Sequence, residues 1–303
     1  MQKQKVVVSI GDINGVGPQI ALESHPKLSE ICSPFYVCDH ALLEEASRLL
    51  GLKNPILKSH CLSLNMPFNI TPGTIDSLSG AYSFTSFKKA LELGDKILTL
   101  PIHKKAWQLA RVPYAGHTEY LREVFGDGIM MLGCKEMFVA LFSDHIPLKE
   151  VSSLITLEGL KDFLLRFYKD YLEGRDIKEV CVLGFNPHAG DDGVLGNEDF
   201  AIKDAITFMN ETLGRKQFVG PYPPDAAFIP NNRARFSHFI SMYHDAGLIP
   251  LKALYFDESI NVTLGLPIKR ASVDHGVAFD IAYKPNNNLS TKSYINAAKF
   301  LVE

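Results

Sequence analysis

Three times along this chain an apolar run breaks into a polar loop that carries a single histidine, and this recurrence constrains the fold more than any other feature. Met137 to Leu141 leads into Phe142-Ser-Asp-His145-Ile-Pro-Leu, Val180 to Leu183 into Gly-Phe-Asn-Pro-His188-Ala-Gly-Asp, and Phe239 to Met242 into Tyr-His244-Asp-Ala-Gly-Leu-Ile-Pro-Leu-Lys252. Short runs of this kind between turn residues read as buried strands. Loops at the carboxyl ends of strands are where open α/β sheets place ligands. His244 and Asp245 are therefore expected on a loop, around a turn at Gly247.

The remaining chain supplies helices to cover such strands. Lys5 to Ile10 reads as a strand closed by Gly11-Asp-Ile-Asn-Gly-Val-Gly-Pro18, with a helical stretch from Gln19 to about Ser24. Phe35 to Cys38 and Lys96 to Leu100 are further strands. Ala41 to Leu50, Ala81 to Leu93, Leu157 to Tyr171 and Asp199 to Leu213 have amphipathic helical spacing. Strand alternating with helix argues for an α/β fold. At 303 residues the chain exceeds the size at which one core keeps growing, so two lobes with a ligand-binding cleft between them are expected. The glycines at 11, 15 and 17 match neither nucleotide fingerprint. That loop is either a tight turn with proline at a helix start or a set of N–H groups for an anion.

Three neutral imidazoles on separate strand ends suffice for a catalytic Zn²⁺ or similar ion with one position open. Taken singly, each is an ordinary hydrogen-bonded loop histidine, and the threefold recurrence is what favours a metal. In Gly116-His-Thr-Glu119, Thr118 reads as a helix N-cap, although His117 and Thr118 there could equally hold a phosphate or carboxylate. Asp225, on the rigid Pro221-Tyr-Pro-Pro loop, is a turn residue or a site residue. Asn261 and Arg270 bracket an apolar run, and His275-Gly276 could approach a flat ring.

Composition excludes whole classes of partner. With 31 basic and 34 acidic residues there is no electrostatic footprint for nucleic acid or a membrane surface. Five scattered cysteines, never in Cys-X-X-Cys spacing, read as reduced core residues of a cytoplasmic protein. No apolar stretch approaches the roughly 20 residues of a membrane-spanning helix, and Met1-Gln-Lys-Gln-Lys runs into a strand without a signal-peptide core.

Several motifs in one order, SIGDINGVGP, AGHTEYL, LFSDHIPL, GFNPHAGDDG, GPYPPDAAF, MYHDAGLIPLK and INVTLGLPIKRASVDHG, resemble the PdxA family of vitamin B6 biosynthesis, the 4-hydroxythreonine-4-phosphate dehydrogenases. The resemblance implies a two-lobed α/β fold like that of isocitrate and isopropylmalate dehydrogenases, with the active site in the cleft. Residues 1–125 with 271–303 would form one lobe, and 126–270 the other, carrying most metal and substrate residues. It implies a homodimer with the site at its interface, and a divalent metal (Zn, Mg or Co) on His145, His188 and His244. It implies substrate contacts from His117, Thr118, Lys252, Asn261 and Arg270, with Asp225 or Asp245 at the catalytic step. DHGVAFDIAYK is similar to the adenosine-binding loop of the isocitrate dehydrogenases, which implies NAD or NADP at His275, Gly276 and Asp280, although Tyr283 stands where that loop has glycine.

The activity so implied is NAD(P)-dependent oxidation and decarboxylation of 4-phosphooxy-L-threonine to 3-amino-2-oxopropyl phosphate. A dehydrogenase of a related acid such as threonate 4-phosphate is the alternative within the fold. A metal-dependent hydrolase, needing only the histidines and a water, is the alternative outside it.

Overall fold

The computed structural model describes residues 3–285 and 287–303, so the start of the expected N-terminal run, Met1 and Gln2, lies outside the described residues. The chain divides into two compact units, residues 1–127 with 260–262 and 266–303, and residues 128–259 with 263–265. The chain returns to the first unit around 260–266, whereas the resemblance implied a return at residue 271. Arg270 and Asn261 accordingly fall in the first unit.

The first unit runs β1 (Lys5–Ser9), α1 (Gly17–Ile31), β2 (Ser33–Val37), α2 (His40–Leu50), α3 (Ser77–Leu93), β3 (Lys96–Thr99), α4 (Lys104–Leu109) and α5 (His117–Phe125). β1 pairs in parallel with β2 on one side and β3 on the other. Parallel strands joined through helices are covered on both faces, which is why Val6, Val7, Val8, Ile97 and Leu98 are all buried. One apolar cluster gathers Phe87, Trp107 and Leu121 from α3, α4 and α5. Helix α1 runs on past the expected end at Ser24, through Pro26, to Ile31.

The glycine loop proves to be a tight turn. Gly11 has φ +73°, and an added Cβ would lie 2.4 Å from the Pro101 carbonyl oxygen, so only glycine fits there. Four of its amides have protein partners: Asp12 N–H donates to Pro101 O, Asn14 N–H to Asp12 Oδ1, Gly15 N–H to Asp12 O and Val16 N–H to Val277 O. They are therefore not presented to an anion.

The second unit runs β4 (Ile129–Cys134), β5 (Met137–Leu141), α6 (Leu148–Leu154), α7 (Leu157–Phe167), β6 (Val180–Leu183), α8 (Glu198–Leu213), β7 (Phe218–Tyr222), α9 (Pro224–Ala227), α10 (Pro230–Arg235), β8 (His238–Ser241) and α11 (His244–Tyr255). β4 and β5 form an antiparallel hairpin. β8 then pairs in parallel with β5 and β6, and β6 with β7. Met137, Val139, Leu141, Cys181, Leu183 and Phe239 from these strands share one core with Leu248 and Leu251 of α11. The chain finishes with β9 (Ile260–Leu264), β10 (Lys269–Val273) and α12 (Lys292–Val302), β10 pairing in parallel with β3. The α/β class expected from the sequence is what the structure shows. No helix among the described residues is long and apolar enough to cross a membrane.

Candidate active site

The three histidine-bearing runs are β5, β6 and β8, consecutive neighbours in the order β5, β8, β6 and all parallel. Their carboxyl ends lie side by side, about 4.8 Å apart per strand. From β5 the chain turns through Ser143, whose buried hydroxyl donates to Met242 O at 2.6 Å and so ties the His145 loop to the end of β8. The His145 and His244 rings lie 5.7 Å apart centre to centre, inclined at 39°. Two imidazoles sharing one tetrahedral ion, with metal–nitrogen bonds of about 2.0–2.1 Å, have ring centres about 5–6 Å apart, so this pair fits one cation.

His244 does not sit on a loop, as expected, but opens α11. Gly247 is not a turn residue either: an added Cβ would lie 2.5 Å from Val139 Cγ1 and 2.8 Å from Ser241 Cβ, so glycine brings the helix down onto the sheet. The consequence is a rigid mount for His244. Its Nδ1–H donates to Asp245 Oδ1 at 2.8 Å, which fixes the tautomer and leaves Nε2 with a lone pair for a ligand. Lys252 lies on the same helix, two turns on and about 12 Å along the axis.

His188 is presented differently. Residues His188, Ala189, Gly190, Asp191 and Asp192 all have φ between +45° and +79°. Left-handed backbone costs about 1–2 kcal/mol at each non-glycine residue, so four of them carry several kcal/mol that neighbouring bonds must offset. This turn lines a recess of about 310 Å³ with Phe200 and Lys203 of α8 and Gly220, Pro221 and Pro223. Asp225 is not on an irregular loop: it lies, exposed, in the short helix α9, which packs against the 187–193 turn and β6. Among the described residues, only Cys134, Glu136 and Glu258 bring three potential ligand atoms within 4.8 Å of one another. His188 thus does not close on His145 and His244 within one chain. In that group burial pushes the Cys134 thiol up to about 11.

The first unit holds a second constellation. Arg270, the second residue of β10, is 3 % exposed, and its Nη2 donates to Thr99 Oγ1 at 2.9 Å and to His117 Nδ1 at 3.4 Å. His117 is wedged between Phe87, with ring centres 4.3 Å apart, and Trp107. Burial, then the Arg270 charge, hold the imidazole well below its usual pKa, so it is neutral. With Nδ1 accepting, the proton of a neutral ring sits on Nε2. That atom is buried and has no protein partner, as are Arg270 Nε and Asn261 Oδ1. The two orphaned donors on the adjoining His117 and Arg270 suit an anionic ligand. Gly116, not Thr118, is the N-cap of α5. Thr118 is the helix's second residue, because Glu119 reaches back to accept from Ala115 N–H at 2.5 Å and so fixes the helix start.

A family profile described as "Pyridoxal phosphate biosynthetic protein PdxA" matches residues 30–301. The chain belongs to the PdxA family. It is similar to the 4-hydroxythreonine-4-phosphate dehydrogenase of Sulfurimonas denitrificans, 51% identical over 99% of this chain and 97% of the relative. The enzyme of the same name from Helicobacter pylori is 50% identical over 99% and 100%. Among solved structures, the 4-hydroxythreonine-4-phosphate dehydrogenase of Klebsiella pneumoniae superposes with a TM-score of 0.82 at 28% identity, covering both chains fully.

In this PdxA-family chain the segment from Asp274 to Lys284 forms a loop whose Gly276 has open space where a Cβ would point. His275 Nδ1 donates to Gly276 O at 2.9 Å, while its Nε2 is buried without a protein partner. Asp280 is exposed at the loop's far end. Tyr283 has φ +57°, the left-handed region that favours glycine, and its hydroxyl donates to Ile13 O at 2.7 Å. Sequence reading missed Thr99, which accepts from Arg270 Nη2, and Asp199, whose carboxylate accepts Phe185 N–H and Asn186 N–H ahead of His188. Thr99 carried one weak signal, a polar residue closing an apolar strand. Asp199 carried none beyond its place in a first helical turn.

Proposed function

We propose that this chain is a metal-dependent, NAD(P)-linked 4-hydroxythreonine-4-phosphate dehydrogenase of pyridoxal phosphate biosynthesis, a cytoplasmic homodimer. It would convert 4-phosphooxy-L-threonine to 3-amino-2-oxopropyl phosphate. The observation that carries the reading is the His145–His244 pair at neighbouring strand ends, with His244 oriented by Asp245. Family membership supplies the reaction.

His145, His244 and His188 would hold a divalent cation, with His188 coming from the partner subunit, since one chain does not close the set. The cation would supply Lewis acidity at the substrate's secondary hydroxyl and at the carbonyl that replaces it, and the nicotinamide would accept the hydride. Asp245, engaged with His244 Nδ1–H, orients that imidazole. Asp225 is then the carboxylate available to take the hydroxyl proton as the C–H hydride departs. The resulting β-keto acid releases CO₂, and the carbon left behind takes up a proton to give the aminoketone phosphate.

His117 Nε2–H and Arg270 Nε–H would donate to a substrate anion, with Thr118 and Lys252 as further contacts. Asn261 Oδ1 would accept from the substrate ammonium. Because His117 is neutral, it binds by a hydrogen bond whose strength does not change across neutral pH. The 274–284 loop, with His275, Gly276 and Asp280, is the proposed nicotinamide-nucleotide contact.

NAD(P)H formation at 340 nm, measured with 4-phosphooxy-L-threonine and with threonate 4-phosphate, tests the reading. Turnover of the first in preference to the second is expected. Preference for threonate 4-phosphate would reassign the substrate, and phosphate release without NAD(P)H would replace the dehydrogenase with a hydrolase.

A further inference from the structure

We infer that Asp199 is the positioning residue for His188, an inference that rests on the reading of His188 as a metal ligand. The left-handed run from His188 to Asp192 follows directly on two residues, Phe185 and Asn186, that this one carboxylate holds, and the carboxylate is itself 5 % exposed. Its Oδ1 accepts Phe185 N–H at 2.9 Å, and its Oδ2 accepts Asn186 N–H at 3.1 Å and Asn186 Nδ2–H at 3.0 Å. The bonds fix the two residues that precede Pro187 and His188. Asn186 is held further, its Nδ2 donating to Glu198 Oε2 at 2.8 Å and its carbonyl accepting Ala189 N–H at 3.0 Å.

The glycines on either side show how closely the turn is wrapped on the carboxylate. An added Cβ at Gly184 would lie 2.7 Å from Asp199 Oδ1, and one at Gly190 would lie 3.3 Å from Oδ2. Asp199 belongs to the first turn of α8, a sixteen-residue helix, so the strained turn is referred to a rigid element with its dipole favouring the charge. Three N–H donors converge on two oxygens, and only a carboxylate offers two acceptors in this volume. An amide would turn an NH₂ toward at least one of those donors. Left without this anchor the five residues relax toward right-handed backbone, and the His188 imidazole moves with them.

The test uses the full-length protein. Asp199→Asn, Asn186→Ala and His188→Ala are compared with the parent for Co²⁺ affinity, by competition with a chromophoric chelator, and for the visible Co²⁺ spectrum. The melting temperature of each chelated protein is followed alongside. Asp199→Asn is expected to weaken Co²⁺ binding roughly 10- to 100-fold, the range for partners that orient a ligand, and to change the spectrum. Asn186→Ala, which removes only the side-chain arm, should weaken it less. A purely structural role would lower the melting temperature and leave the folded fraction's Co²⁺ affinity unchanged, and that result overturns the inference. If Asp199→Asn does not fold, unchanged affinity in Asn186→Ala overturns it equally. Loss of Co²⁺ in His188→Ala with retention in Asp199→Asn removes only the positioning role, whereas retention in His188→Ala removes the metal-ligand reading beneath it.

Discussion

Arg270 Nη2 donates to His117 Nδ1 across 3.4 Å, in a pocket where both side chains are buried. Burial, and then the cation beside it, keep that imidazole neutral, and the direction of the bond places its one proton on Nε2. The pair thereby becomes two donors of fixed direction, Nε2–H of His117 and Nε–H of Arg270, neither with a protein partner. Burial in turn draws the guanidinium down to about 10, still charged at neutral pH.

Arg270→Ala should lower kcat/KM by about 2–3 kcal/mol, roughly 30- to 150-fold, the scale of a charge-assisted hydrogen bond to substrate. Arg270→Lys should recover little, because one ammonium cannot both replace Nη2 at Thr99 and His117 and supply the separate Nε–H donor. Steady-state kinetics on both variants check this, and full recovery by lysine would reduce the site to a point charge.

Asp12 gives a stability prediction with a definite sign. Burial raises its carboxyl from 3.8 to about 6, opposed by bonds from Asn14 N–H and Ser79 Oγ–H. A raised acid favours the protonated fold, so its unfavourable contribution is absent below about pH 4, grows as pH rises toward 6 and is constant above. Near pH 7 it amounts to about 3 kcal/mol. Asp12→Asn keeps an acceptor for Asn14 and cannot ionise, so the melting temperature of the variant relative to the parent should climb between pH 4 and pH 7. A difference independent of pH would mean that Asp12 is not ionised at this cost.

Complementation between inactive variants tests the proposal that two subunits share the metal site. His145→Ala and His244→Ala, altered in the same half-site, should stay inactive when unfolded and refolded together. Either one refolded with His188→Ala should regain part of the parental rate, since one site per heterodimer then keeps all three ligands. Recovery in the His145 and His244 pairing instead would redraw the partition.

Much of this was legible in the sequence because it depends on local pattern. The buried strands under His145, His188 and His244 announce themselves as apolar runs, and their shared parallel sheet follows from the helices between them. What was not legible depends on packing between distant residues. Gly247 looks like a turn until Val139 and Ser241 are seen beneath it. Asn261 and Arg270 look like the ends of one run, yet belong to separate strands β9 and β10. Thr118 suits an N-cap by residue type, but Glu119 fixes the helix start from the next position. Thr99 and Asp199 have roles only through partners brought to them by the fold.

The most direct test of the central claim is stoichiometry. The purified protein is given Zn²⁺, Mg²⁺ or Co²⁺, a nicotinamide nucleotide and 4-phosphooxy-L-threonine, and NAD(P)H, CO₂ and inorganic phosphate are measured on one sample, before and after exhaustive chelation. One NAD(P)H and one CO₂ per substrate, no phosphate, and loss of both products on chelation is the predicted result. Undiminished NAD(P)H and CO₂ from protein shown metal-free by elemental analysis, or phosphate as the product, would contradict the account.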